Sequence, residues 1–149
     1  MISPSQFGAG NPARSRGGAN AEQSLVERIN EDPIVLGLGD LDLKRASWRS
    51  RQISLLPESP AELVLFVVEL HLGPTDDCHV IRVIERWLTE RKRQRTKRCS
   101  AVLVAERIAP RYVNILALIS RAVPLLALQM EPSACTEGTA LRFRPVGLR

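Results

Sequence analysis

The sequence is short of aromatic residues, cysteine, and long apolar runs. Aromatics make up 4% of its 149 residues. Its core must therefore be filled by Leu, Val, Ile and Ala, and the shortage argues against a binding surface of stacked rings. Cysteine is limited to Cys78, Cys99 and Cys135, an odd number with no Cys-x-x-Cys spacing. That argues against a disulfide framework and fits a reducing compartment. Cys78 and His79 adjoin and His71 is near, but this set is two well-placed ligands short of a zinc site. No apolar run reaches the roughly 20 residues of a membrane span. The longest, 62–72, is broken by Glu69 and His71. The N-terminus lacks a signal peptide's apolar segment. These absences lead us to expect a cytoplasmic protein with no membrane contact.

What is present is a locally concentrated positive charge. The net charge is +5. Arg91, Lys92, Arg93, Arg95, Lys97 and Arg98 supply so much of it that the rest of the chain would be close to neutral. A local basic patch suits phosphates or an acidic partner. It also suits the C-terminal end of a helix, where cations complement the dipole.

Residues 1–21, rich in Gly, Ser, Pro, Asn and Ala, read as a disordered leader. A folded domain is expected over 22–131, followed by a looser extension over 132–149 in which "ALRFR" is a candidate edge strand. Leu25, Val26 and Ile29 make one side of a short helix that Pro33 stops. "SWRSRQISLL" and "AELVLFVVELHLG" read as two strands joined by "PESP" as the turn, with room for one more strand before them. The second strand is apolar enough to be covered on both faces.

The clearest helix follows, capped by Thr75 or Asp76, with Asp77 in its first turn. Val80, Ile84, Trp87 and Leu88 form its expected inner stripe, and Arg86 and Glu90 an expected pair one turn apart. "SAVLVAE" is a strand. Pro110 opens another helix with Tyr112, Ile115, Leu116 and Ile119 inward, and "VPLLALQM" is a further strand. Strand–helix–strand crossovers imply parallel pairing, and the short early turn implies antiparallel pairing, so the expected fold class is α/β with a mixed sheet flanked by helices.

Within the apolar strand, "VVELHLG" carries Glu69 and His71 one residue apart, so both project from the same face. An acid and a titratable base near the end of an apolar strand fit a catalytic pair, a metal site or charges at a solvated strand end.

This element order resembles the restriction-endonuclease-like, or PD-(D/E)XK, superfamily, whose signature is a carboxylate on one strand and Glu-x-Lys on the next. "VVELHLGPTDDCHVIRVIERWLTERKR" and "AVLVAERIAPRYVNILALISRAVPLLALQM" resemble a bacterial group of uncharacterised nuclease-like proteins within it. The likeness covers roughly 24–130. It implies Mg²⁺ held by paired carboxylates, with nucleic acid, above all DNA, as the partner and a homodimer as a common assembly. Glu69 would be a metal ligand and His71, in the lysine's place, would handle the attacking water. Ser54 stands where the resemblance puts the metal-binding Asp. Asp42 and Glu58 are then the leading candidates for the missing acid, with Asp40, Glu27 and Glu85 behind them. The basic run 91–98 would grip phosphates.

Two outcomes are open at this level. One is a divergent nuclease-superfamily protein that cuts or merely binds nucleic acid. The other is an α/β protein–protein interaction module with no nucleic-acid activity.

Overall fold

The structure is a computed structural model that describes residues 18–135 and 138–148. Helix α1 (Gly18–Glu31) leads through a short 3₁₀ turn (Pro33–Leu36) into strand β1 (Asp42–Arg49), then β2 (Gln52–Ser59) and β3 (Val64–Pro74). Helix α2 (Asp77–Arg93), strand β4 (Arg98–Arg107), helix α3 (Pro110–Ile119), and strands β5 (Leu125–Cys135) and β6 (Gly138–Val146) complete it. The six strands form one sheet in chain order. Strands β1, β2 and β3 run antiparallel, β3, β4 and β5 parallel, and β6 antiparallel at the far edge. The expected mixed α/β architecture is therefore present, with three strands between the first two α-helices, one more than the two read as certain from sequence. No described helix is long and apolar enough to cross a membrane.

Alternation along β3 decides which face each helix covers. Phe66, Val68 and Leu70 point to the α1 side, where Leu25, Val26 and Ile29 complete a buried cluster. Leu65 and Val67 point to the other side, against Val80, Val83 and Trp87 of α2 and Leu116 of α3. Each such aliphatic side chain, fully buried, is worth about 1.5–3 kcal/mol. β3 is thus clamped from both faces, and a charge at Glu69 sits within that clamp.

Several expectations are corrected. "SWRSRQISLL" is not one strand: β1 ends at Arg49, a turn occupies 50–51, and β2 begins at Gln52. Arg51 takes the left-handed conformation (φ 62°) that this turn requires, with no Gly or Asn to announce it. Glu22 holds it there by accepting a hydrogen bond from the Arg51 backbone N–H. "PESP" is not the turn either: Pro57, Glu58 and Ser59 belong to β2, and the turn comes after them. Leu88 and Ile115, expected inside, are exposed, and Val83 takes the place given to Leu88. The leader expected over 1–21 lies outside the described residues up to position 17, and α1 begins at Gly18. "ALRFR" lies within β6, an edge strand paired to β5.

Candidate functional site

Ser47, Ser54 and Glu69 form a row across β1, β2 and β3, each directly opposite the next. Residues directly opposite on paired strands share a face, and this row faces α2. Glu69 is fully buried. The Ser54 hydroxyl lies 2.9 Å from its Oε1 and 2.8 Å from its Oε2, sharing one proton between them. Arg82 Nε donates to Oε2 at 3.3 Å, and Arg86 Nε forms an ion pair with Oε1 at 2.6 Å.

Helix α2 is latched to residue 69 at a third point. His79 Nε2 lies 2.9 Å from the Glu69 carbonyl oxygen. A carbonyl only accepts, so Nε2 carries a proton and donates it. Burial depresses the pKa of His79 to about 4, further than its hydrogen bond to Glu69 raises it. Positions 79, 82 and 86 fall on one side of the helix, three and four residues apart. Asp76 starts that helix by accepting from the His79 backbone N–H at 2.8 Å. Burial pushes the Glu69 carboxyl above its ordinary range, against the pull of Arg86, the Ser54 hydroxyl and Arg82.

Above Glu69 lies a groove between α2 and the edge strand β1. One part, about 220 Å³, is lined by Ser47, Arg49, Gln52, Ser54, Arg82 and Arg86. The next, about 300 Å³, shares Ser47, Ser54 and Arg86 and adds Arg45, Thr89, Glu90 and Arg93. The buried Glu90 is held by Arg45 at 2.7 Å and Arg93 at 3.6 Å, so it is not the partner of Arg86 expected from the helical spacing. Five guanidiniums thus line the groove against two buried carboxylates, and both carboxylates are already engaged.

The other residues singled out from sequence are placed as follows. His71 shares the Glu69 face, half-buried, and its Nδ1–H donates to the Pro74 carbonyl at 2.8 Å. Asp42 and Glu58 are register partners of each other, four positions along β2 from Ser54, or about 13 Å. Lys97 lies 2.6 Å from Glu58, and Lys44 3.8 Å from it. The Lys97 hydrogen bond holds the Glu58 carboxyl below its ordinary range, against its burial, with Lys44 adding to the pull. Neither acid stands beside Glu69. Glu27 is exposed beside Gln23 on α1, and Asp40 and Glu85 are exposed.

The basic run is divided. Arg91 stacks over Trp87 at 5.1 Å, Arg93 joins Glu90, and Lys97 joins Glu58. Lys92, Arg95 and Arg98 are exposed. With Arg91 and Lys97, Arg95 and Arg98 line a separate open cavity of about 610 Å³ near Trp87 and Pro124. Cys78 is exposed, and Cys99 is buried.

The donors around Glu69 do not fit the Mg²⁺ that the resemblance implies. That ion needs several oxygen lone pairs in octahedral array. Here one carboxylate meets a hydroxyl that points its hydrogen at it and two cationic side chains that already neutralise it. Among the described residues no group of three or more His, Cys, Asp or Glu is placed to hold a metal ion. What the arrangement offers instead is a set of N–H and O–H donors around fixed positive charge, suited to an oxyanion.

Arg45, Arg49, Arg82 and Arg86 were not among the site residues that sequence reasoning selected; Arg86 entered only as an expected partner of Glu90. A partial signal is present. Arg82 and Arg86 are one turn apart, and Arg45, Ser47 and Arg49 alternate along β1. That the two sets face each other is a tertiary fact.

No family model matches the chain, and no curated protein matches it. Among solved structures, "Structure of EndoMS in apo form" is similar over 75% of this chain and 47% of that one, at 16% identity and a TM-score of 0.49. The chain spans about half the length of that protein. By its own element order and sheet, this is a mixed α/β protein with one six-stranded sheet flanked by helices.

Proposed function

We propose that the protein binds nucleic acid, with DNA as the expected form, in the arginine-lined groove between α2 and β1, and that it does not hydrolyse it. The observation that supports this reading is the state of Glu69. Its carboxylate is buried and occupied by Ser54, Arg82 and Arg86 rather than presented beside a second acid. A groove whose cations outnumber its acids, and whose acids are engaged, attracts a polyanion and not a metal ion. The aromatic shortage fits the same reading, since backbone contact needs charge and not stacking.

The test is titration of a short labelled duplex, and of its single strand, by fluorescence anisotropy across a salt series. Affinity is expected to fall steeply with salt, with a slope of log K on log salt between about −2 and −4 for two to four phosphate contacts. Arg49→Glu, at the exposed mouth of the groove, is expected to weaken binding about tenfold or more, as reversing one phosphate-contacting charge does. Plasmid incubated with Mg²⁺ or Mn²⁺ is expected to stay intact. Absence of salt-sensitive binding would favour the interaction-module reading, and cleavage lost in Glu69→Ala would restore the enzymatic one.

A further inference from the structure

Resting on that reading of the groove, we propose that its floor is a preformed, metal-free seat for a single backbone phosphodiester, built by Arg82 and Arg86 over Glu69. Charge on the floor does not balance. Two guanidiniums meet one carboxylate, and the remaining floor side chain, Ser54, is neutral. The surplus is one positive charge, which matches a phosphodiester monoanion. Hydrogen bonds do not balance either. The Nη2 of Arg82 is buried and, among the described residues, has no acceptor, and the Nε of Arg86 lies close to Glu69 but out of line for a hydrogen bond. Those two atoms are closed to solvent, but the Arg82 and Arg86 side chains stay 23% and 33% exposed and line the groove, so an oxygen entering it meets the part of each that faces outward.

The walls fit the same ligand. Ser47, Gln52 and Arg49 stand around the opening and contribute no carboxylate. The nearest acid in the adjoining part, Glu90, is engaged by Arg45. Glu69 then acts as a positioning residue: it fixes both guanidinium planes before the ligand arrives, which lowers the ordering cost of binding. Two guanidiniums here do the charge neutralisation at phosphate that a divalent ion would otherwise do, and their field repels such an ion.

The experiment compares a short labelled duplex bound in EDTA with the same duplex in Mg²⁺ at matched ionic strength, using wild type and Arg82→Gln. Arg82→Gln leaves Glu69 paired one to one with Arg86, so the fold keeps a balanced buried pair. Wild-type binding is expected to persist in EDTA and not to strengthen in Mg²⁺, which itself competes for the duplex phosphates. Arg82→Gln is expected to weaken binding about tenfold or more and to flatten the salt slope by about one. If that variant melts, a duplex carrying neutral methylphosphonate linkages decides the matter on wild type, with weaker binding expected. Inorganic phosphate added as competitor is expected to displace the duplex only as general salt does. Binding lost on chelation, or undiminished in folded Arg82→Gln, overturns the seat while leaving the interface standing. Displacement by low inorganic phosphate overturns the phosphodiester as its ligand. A wild type that binds no duplex in either buffer overturns the interface reading itself.

Discussion

The Ser54 hydroxyl donates to both oxygens of the Glu69 carboxylate from the directly opposite position on the neighbouring strand. The two positions that the resemblance assigns to paired metal-binding acids are therefore adjacent, but one of them is a neutral donor. Ser54→Asp would set two carboxylates face to face under Arg82 and Arg86. Duplex affinity is expected to drop about tenfold or more, because the added charge cancels the groove's surplus. Anisotropy titration checks this. Unchanged affinity would mean that the floor does not touch the ligand.

Glu69 is expected to matter for stability before it matters for anything else. Glu69→Ala leaves two guanidiniums, which are largely buried, without their counter-ion and costs about 3–5 kcal/mol. Ser54→Ala removes only the shared hydrogen bond and costs about 1–2 kcal/mol. Urea unfolding at neutral pH measures both, and a Glu69→Ala midpoint equal to wild type would contradict the latch described for α2.

His79 gives the fold a pH dependence whose direction is fixed. Its folded pKa of about 4 lies below the ordinary value of 6.5, so between those limits the unfolded chain binds the extra proton. Stability is full above pH 6.5 and is lost as pH falls toward 4, by about 3 kcal/mol from this residue alone. Glu58, with its lowered pKa, adds a further loss at lower pH, below the ordinary carboxylate range. Unfolding midpoints should rise less with pH across this window in His79→Gln than in wild type, since the raised Glu69 carboxyl acts in the opposite direction in both. An equal slope in both would remove His79 as the cause.

The basic run 91–98 is expected to divide by role. Lys97→Met strips the hydrogen-bonded cation from the buried Glu58 and is expected to lower stability by about 1–3 kcal/mol. Arg95→Glu, on the exposed surface, is expected to leave stability within about 0.5 kcal/mol and to weaken duplex binding less than Arg49→Glu does. The reverse ranking would place the main interface at the cavity beside Trp87 and Pro124.

Much of the architecture was legible in the sequence because its signals are periodic and local. The apolar run of β3, the α2 cap at Asp76 and Pro110 at the head of α3 all stand where the pattern puts them. The β1–β2 turn was not legible, because Arg51 adopts a conformation usually left to Gly or Asn and is held by the distant Glu22. The face-sharing of Glu69 and His71 was readable and Ser54 was reached through the resemblance, but the partners of Glu69 and Ser54 were not readable. Arg82 and Arg86 look like one solvated helical turn until α2 is folded over the sheet. The same holds for Arg86 and Glu90, whose spacing suggests a pair, while the fold gives Glu69 to one and Arg45 to the other.

The central claim is that arginines, and not a metal ion, neutralise the buried carboxylate at position 69. Calorimetric titration of Mn²⁺ into wild type and Glu69→Gln tests it most directly. The account predicts no saturable uptake in either protein. One ion bound per wild-type chain, and lost in Glu69→Gln, would contradict it.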